Sequence, residues 1–173
     1  VAIALGVAMA VSLAGNTVSE SVAGEKVAYQ VEDRRSGYTY VTPETAAMQD
    51  DDFANPAFLL VDQGEELWSQ VDGEAGKSCA SCHQDASDSM KGVGTRYPVH
   101  DAKLGKLKNI ESQINICRTE RMKAKPYKWE SNEMLGMTAY VRMQSRGMAM
   151  NVKIDGPAAP FFEKGKAFYY QRR

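Results

Sequence analysis

Two cysteines and a histidine stand close enough together in this sequence to act on one prosthetic group. The segment reads Cys79-Ala-Ser-Cys82-His83, and C-x-x-C-H is the attachment signature of c-type haem. Two intervening residues let both thiols reach the vinyl groups of a porphyrin from one helical turn, and the adjacent imidazole then lies under the iron. The segment therefore predicts one haem, bound covalently by Cys79 and Cys82, with His83 as an axial ligand.

Other interpretations of these cysteines compete with haem. A redox-active Cys79–Cys82 disulfide would be typical of thioredoxin-like proteins, but no βαβ pattern surrounds the pair. A structural zinc site would use Cys79, Cys82, Cys117 and His100, yet the usual second pair of ligands at close spacing is lacking. A structural disulfide leaves one of the three cysteines over. We favour haem, and the alternatives remain open at this point.

The second axial ligand tunes the haem potential and is marked less clearly. Most cytochromes of this class use methionine, so Met90 and Met122 are alternatives, as is His100. Cys117 lies on the apolar side of a predicted helix and has no partner cysteine. A thiolate bound to ferric iron would give it a use, and Arg118 beside it would favour the anion. We therefore predict Cys117 as the second ligand, with a low potential as the consequence.

Three amphipathic helices are predicted around these residues. The first begins at Asn55-Pro56, where asparagine caps and proline suits the first position. Gly64 lies on its apolar face and indicates that another backbone approaches closely there. A second helix follows an apolar stripe over residues 104–117. A third runs from residue 131 or 132 to 146, with Gly147 as its left-handed C-cap.

These helices resemble those of the cytochrome c fold. In that fold the first and last helices cross at a glycine and an aromatic above the haem, and Gly64, Trp68 and Tyr140 supply such residues. We therefore predict an all-α protein with a cytochrome c-like haem domain at residues 55–150.

The N-terminal region is predicted to lie outside that domain. Residues 1–14 are apolar and uncharged, but shorter than the ~20 residues of a membrane span. They resemble the apolar part of a secretory signal, so residues 1–23 are interpreted as a signal peptide remnant. A buried N-terminal helix is the alternative. Residues 24–54 are predicted to form an irregular arm with a short strand at Tyr38–Val41.

The predicted secretory signal and the net charge narrow the class of protein further. A secretory signal predicts a periplasmic location, with no membrane span in the mature chain. The formal net charge of -1 argues against nucleic acid as a partner, because phosphate binding requires a concentrated basic face.

An internal repeat indicates a second unit. Residues 55–70 align with residues 156–171 at a constant offset, with Pro-Ala, glycine, an aromatic and glutamine coinciding. A repeated helix of this kind implies a repeated unit; the alternative is two unrelated amphipathic helices that are similar by chance. Residues 151–173 are therefore predicted to hold a linker and the truncated start of a second cytochrome c-like domain.

Several distinctive segments resemble one family, SoxA, the larger cytochrome subunit of bacterial sulfur oxidation. They are Cys79-Ala-Ser-Cys-His83, Ser89-Met-Lys-Gly92, Arg96-Tyr-Pro98, Ile114-Asn-Ile-Cys-Arg-Thr-Glu-Arg-Met122, Thr138-Ala-Tyr140, Gln144-Ser-Arg-Gly147 and Asp155-Gly-Pro-Ala-Ala-Pro-Phe-Phe-Glu-Lys-Gly165. The resemblance implies two fused cytochrome c domains, a smaller SoxX-like cytochrome subunit and a periplasmic setting. It also implies that a first-domain haem, where present, is held by histidine and cysteine thiolate.

The resemblance further implies an L-cysteine S-thiosulfotransferase. Such an enzyme couples thiosulfate oxidatively to a cysteine of a SoxYZ-like carrier protein, and the electrons leave through haem. Catalysis in the family occurs at a second-domain haem whose positions would lie beyond Arg173, so we expect no catalytic residue in this chain and a second haem in the full-length protein. The alternative is a stand-alone periplasmic electron-carrier cytochrome c.

Overall fold

The computed structural model describes residues 37–171. The predicted signal peptide remnant and the first part of the predicted arm, up to residue 36, lie outside the described residues. Chain contacts divide the molecule into a unit that ends at Tyr40 and a unit that begins at Val41. In the first unit, Gly37–Tyr40 form a 3₁₀ helix, so the predicted strand at Tyr38–Val41 is wrong. A short segment can satisfy backbone groups locally through i→i+3 hydrogen bonds, whereas a strand requires a neighbouring strand.

The second unit consists mainly of helices, together with one short antiparallel hairpin. In chain order its elements are α1 (Pro43–Asp50), α2 (Phe58–Ser69), α3 (Ala80–His83), α4 (Ala86–Ser89), α5 (Val93–Arg96), β1 (Val99–Asp101), β2 (Lys106–Lys108), α6 (Ile110–Ile116), a π-helix (Cys117–Met122), α7 (Asn132–Met143), a 3₁₀ turn (Gly156–Ala158) and α8 (Ala159–Tyr169). None of the helices between residues 37 and 171 has the length and apolar composition that a membrane span requires. The predominance of helix confirms the predicted fold class.

Helix α1 corrects the prediction of an irregular arm over residues 24–54. The Thr42 side chain accepts a hydrogen bond from the backbone N–H of Thr45 at 3.3 Å. Pro43 occupies the first position and Glu44 lies in the first turn, where the helix dipole favours an acidic group. These capping signals favour a helix even though α1 buries no residue.

The crossing of α2 and α7 is the centre of the fold. Gly64 on α2 faces Gly136 on α7 so closely that a Cβ atom on Gly64 would lie 2.1 Å from the Gly136 carbonyl oxygen. The prediction that another backbone approaches Gly64 is therefore confirmed. Beside this contact the rings of Trp68 and Tyr140 lie 5.9 Å apart at an interplanar angle of 60°. The core extends from here, with Met134 and Met137 its largest fully buried side chains.

The predicted ends of the first and third helices need small changes only. Helix α2 begins at Phe58, because Asn55 caps a preceding turn by accepting a hydrogen bond from the Ala57 N–H at 3.0 Å. Helix α7 begins after Ser131, whose hydroxyl accepts from the Met134 N–H at 3.4 Å. Helix α7 ends at Met143 with Gln144 as its C-cap, so the prediction of Gly147 as the C-cap is wrong, although Gly147 does adopt a left-handed conformation with φ of 75°.

The second predicted helix begins later than the apolar stripe indicated. Residues 99–108 instead form the β1–β2 hairpin, in which Val99 pairs with Lys108. Asn109 then starts α6, because its side chain accepts a hydrogen bond from the Ser112 N–H at 2.9 Å. Leu104, which we had expected on the helix, is half exposed in the hairpin turn.

Helix α8 lies where the repeat predicts it. It begins at Ala159, 101 residues after Phe58, the first residue of α2. In contrast to α2, whose Gly64 and Trp68 are buried, α8 has no buried residue. The assignment of residues 151–173 to a second domain stays a prediction.

Candidate haem site

A cavity of about 340 Å³ is lined by all four residues that we predicted to bind the haem. Cys79, Cys82, His83 and Cys117 line it, although Cys117 is 34 residues further along the chain than His83. Most of the remaining wall is apolar. The apolar and aromatic lining residues are Trp68, Met90, Val93, Tyr97, Ile110, Ile114, Met122, Met137 and Val141.

The C-x-x-C-H segment is shaped by two serines that the sequence analysis did not single out. The Ser78 hydroxyl accepts from the Ser81 N–H at 3.1 Å, and the Ser81 hydroxyl accepts from the Ser78 N–H at 2.9 Å. This reciprocal pair resembles a capping box and fixes the start of the turn. The His83 N–H then bonds to the Cys79 carbonyl at 2.9 Å, which places Cys79 and Cys82 one helical turn apart.

Trp68 holds the end of the same segment. Its indole N–H donates to the Gln84 carbonyl at 2.9 Å, and its ring lies 5.8 Å from the imidazole of His83. Gln84 has φ of 57° and ψ of -129°, a conformation that a non-glycine residue adopts only when its surroundings enforce it. The crossing helix α2 therefore sets where His83 stands.

Cys117 is positioned at the junction of α6 and the π-helix. Its backbone N–H bonds to the carbonyls of both Gln113 and Ile114. The π-helix begins at this residue, and π conformations within helices are frequent at functional sites. The Asn115 side chain, on α6, donates to the Tyr127 carbonyl at 3.0 Å and accepts from the Tyr127 N–H at 2.8 Å. The loop after the π-helix is thereby held against α6.

Arg118 joins the two chain segments that carry the predicted ligands. Its guanidinium is buried and forms an ion pair with Asp72, which precedes the C-x-x-C-H segment. It also donates to the Lys125 carbonyl at 3.0 Å and lies 3.6 Å above the Tyr127 ring. We had expected Arg118 to favour the anion of Cys117, but its side-chain hydrogen bonds go to Asp72 and Lys125. Arg121 is exposed and lines the cavity.

Burial and the Arg118 charge shift the ionisation of neighbouring groups. Burial raises the pKa of the Cys79 thiol, and the Arg118 charge opposes that shift without cancelling it. A raised pKa leaves less of the thiolate, the form of cysteine that attacks a disulfide. The hydrogen bond from Arg118 is the main reason why the pKa of Asp72 is lowered.

The competing interpretations fit this arrangement less well. All three cysteines are free thiols, so the structure contains neither of the disulfides considered above. His100 lies on β1 with its ring 5.9 Å from Phe161 and does not line the cavity, so the zinc site lacks its fourth ligand. Across residues 37–171 no group of three or more His, Cys, Asp or Glu side chains is arranged to hold a metal ion.

A haem fits the residues that are present. The cavity volume falls within the range of about 300–1,000 Å³ typical of ligand sites, its walls are mainly apolar, and two thiols and an imidazole line it. Met90 and Met122 also line it, so position alone does not separate them from Cys117 as the second ligand. The helix crossing and this site define a cytochrome c-type domain.

Comparison with known proteins identifies the family. The protein-family model described as "SoxA/TsdA, cytochrome c domain" matches residues 63–150 of this chain. The chain therefore belongs to this family. Membership of a cytochrome c family implies haem c as the cofactor.

The relatives are SoxA subunits. The chain is 45% identical over 138 residues to the L-cysteine S-thiosulfotransferase subunit SoxA of Pseudaminobacter salicylatoxidans, covering 79% of this chain and 48% of that protein. It is 45% identical over 137 residues to that of Paracoccus pantotrophus, covering 79% and 47%. The crystal structure of SoxXA from P. pantotrophus matches with a TM-score of 0.73 and 45% identity, over 79% of this chain and 52% of that chain. The chain spans about half the length of the curated relatives it matches.

Proposed function

We propose that this chain carries one haem c, attached to Cys79 and Cys82 and ligated by His83 and Cys117. The observation that carries the proposal is that one mainly apolar cavity is lined by all four side chains, three from the C-x-x-C-H segment and the fourth, Cys117, from a distant part of the chain. Membership of a cytochrome c family supports haem as the occupant.

Each residue has a distinct part in this proposal. The thiols of Cys79 and Cys82 form thioether bonds to the porphyrin, which keeps the haem in place in both oxidation states. His83, held beside Trp68 at a ring distance of 5.8 Å, supplies a neutral nitrogen ligand, and Cys117 supplies an anionic sulfur ligand. Arg121 at the cavity wall offers a positive charge to a haem propionate. When bound, the haem supplies one-electron transfer.

The role in the whole protein follows from its relatives. We propose that the complete protein is the SoxA-type subunit of a periplasmic L-cysteine S-thiosulfotransferase that works with a SoxX-like cytochrome subunit. In that reaction a sulfur–sulfur bond forms between thiosulfate and a cysteine of a SoxYZ-like carrier, the cysteine thiol loses its proton to solvent, and two electrons leave through haem. The identities of 45% to SoxA subunits support this assignment. Within these 173 residues the proposal assigns a haem and no catalytic residue, and the coupling chemistry belongs to a second haem domain.

Haem attachment is tested by expressing the chain together with a cytochrome c maturation system and measuring its mass under denaturing conditions. We expect an increase equal to one haem. The Cys79→Ala/Cys82→Ala double variant should lose the covalent haem, whereas Cys117→Ala, the matched control, should keep it. An unchanged mass in the parent protein would contradict the proposal.

The role in sulfur chemistry needs a separate test with the full-length protein. It should co-purify with a SoxX-like subunit and, with thiosulfate and an electron acceptor, add one S₂O₃ group to the carrier cysteine in place of the thiol proton. A protein that binds haem and exchanges electrons, but modifies no carrier, would be a stand-alone electron carrier instead.

A further inference from the structure

One side chain donates directly to the sulfur of Cys117. Gln113 lies on α6, and Cys117, four residues later, directly follows the last residue of α6 in helical conformation, so the two side chains lie on one face. The Gln113 amide nitrogen lies 3.2 Å from the Cys117 sulfur. Both residues line the cavity and both are half-buried.

The chemistry of a ligating sulfur fixes how this contact works. A thiolate bound to iron carries no proton and only accepts hydrogen bonds, so the amide must present its N–H rather than its carbonyl. Partial burial strengthens the bond because water competes less for the amide. The neighbouring cation does not replace it, since Arg118 makes its hydrogen bonds to Asp72 and Lys125.

We propose that Gln113 is a positioning residue that tunes the reduction potential through Cys117. Its N–H bond draws electron density from the sulfur, so the sulfur donates less to iron. A sulfur that donates less electron density to iron stabilises the ferric form less. The reduction potential is therefore higher than with a thiolate ligand that accepts no hydrogen bond. Hydrogen bonds to ligating sulfurs are one of the main means by which proteins set such potentials. The inference rests on the proposed His83/Cys117 ligation.

The test compares reduction potentials of the haem-loaded chain. Gln113→Leu removes the donor, and we expect the ferric form to gain about tenfold over the ferrous form, a fall of about 59 mV for a one-electron couple. Gln113→Glu keeps the side-chain length but presents an anion, and should lower the potential further. In both variants the electron paramagnetic resonance (EPR) signal should remain that of low-spin thiolate-ligated haem, with shifted g values.

Gln144→Leu is the matched control. Gln144 is also half-buried and donates to a residue four positions earlier, the Tyr140 carbonyl at 3.0 Å, but it does not line the cavity. Its replacement should leave the potential unchanged. If Gln113→Leu and Gln113→Glu shift the potential no more than Gln144→Leu while the thiolate signal persists, the inference about Gln113 is wrong. If the parent protein shows no thiolate signal, the proposed ligation fails and the inference fails with it.

Discussion

Replacing Gly64 with alanine should destabilise the protein although alanine is the better helix former. A Cβ atom at this position would lie 2.1 Å from the Gly136 carbonyl oxygen, whereas real Cβ contacts essentially never fall under 3.0 Å, so α2 and α7 must separate by about 0.9 Å. A gap of that size forfeits about a quarter to a half of each affected van der Waals contact. The obstacle is backbone and cannot rotate away.

The magnitude follows from two opposing contributions. Alanine gains about 1 kcal/mol over glycine in a helix interior, and overpacking of a rigid core costs about 1–3 kcal/mol. Because the contact joins two backbones, we take the upper end of that cost and expect a net loss of about 2 kcal/mol in the free energy of unfolding. The displacement should also reach Trp68, one turn further along α2 and in contact with His83.

The repeat supplies a matched control for this experiment. Gly165 holds the same position in α8, and a Cβ atom there would meet nothing within 4 Å. Gly165→Ala should therefore stabilise the protein by about 0.5–1 kcal/mol. Urea unfolding of the haem-loaded chain, followed by far-ultraviolet circular dichroism, measures both variants. Equal effects of Gly64→Ala and Gly165→Ala would refute the argument that the crossing requires glycine.

Two further changes test how the site is held. Asp72→Asn leaves the buried Arg118 guanidinium without its anion, and because Asp72 is half exposed we expect a loss near the lower end of about 1–3 kcal/mol in urea unfolding. Arg118 lowers the Asp72 pKa, so the ion pair stabilises the parent protein only while Asp72 is ionised. As the pH falls through the lowered pKa, the free energies of unfolding of the parent and Asp72→Asn proteins should therefore converge. A difference that stays constant with pH would contradict the ion pair. Trp68→Phe removes the donor to the Gln84 carbonyl and should cost about 1 kcal/mol in the same assay. The exposed Trp129 is its control, and Trp129→Phe should change nothing measurable; equal losses would show that the indole bond is unimportant.

The sequence predicted those features that depend on local pattern. C-x-x-C-H has a spacing that only a few chemistries use, and the cavity that contains it also contains Cys117. The apolar face of α2 with Gly64 in its middle predicted a close helix crossing, because a glycine there is unfavourable unless a backbone occupies the space. The serine cap and Gly147 predicted the ends of α7 within a few residues.

Other features depend on contacts that a periodic pattern does not encode. The apolar residues at positions 104–117 fit a helix over their whole length. In the structure the β1–β2 pairing holds the first of them in a hairpin, and the Asn109 cap starts α6 only after that hairpin. The π-helix at Cys117–Met122 has no sequence signature that separates it from a continued α-helix. The ion pair of Arg118 with Asp72 joins residues 46 positions apart. Contacts of this kind require the fold to be known.

The central proposal is that Cys117 and His83 would both ligate the haem iron, and it is tested most directly by EPR of the oxidised, haem-loaded chain. The parent protein should give the low-spin ferric signal of thiolate ligation, and Cys117→Ala should abolish that signal. Met122→Leu, at the same cavity, should preserve it. A histidine–methionine signal that survives Cys117→Ala and disappears in Met122→Leu would contradict the claim.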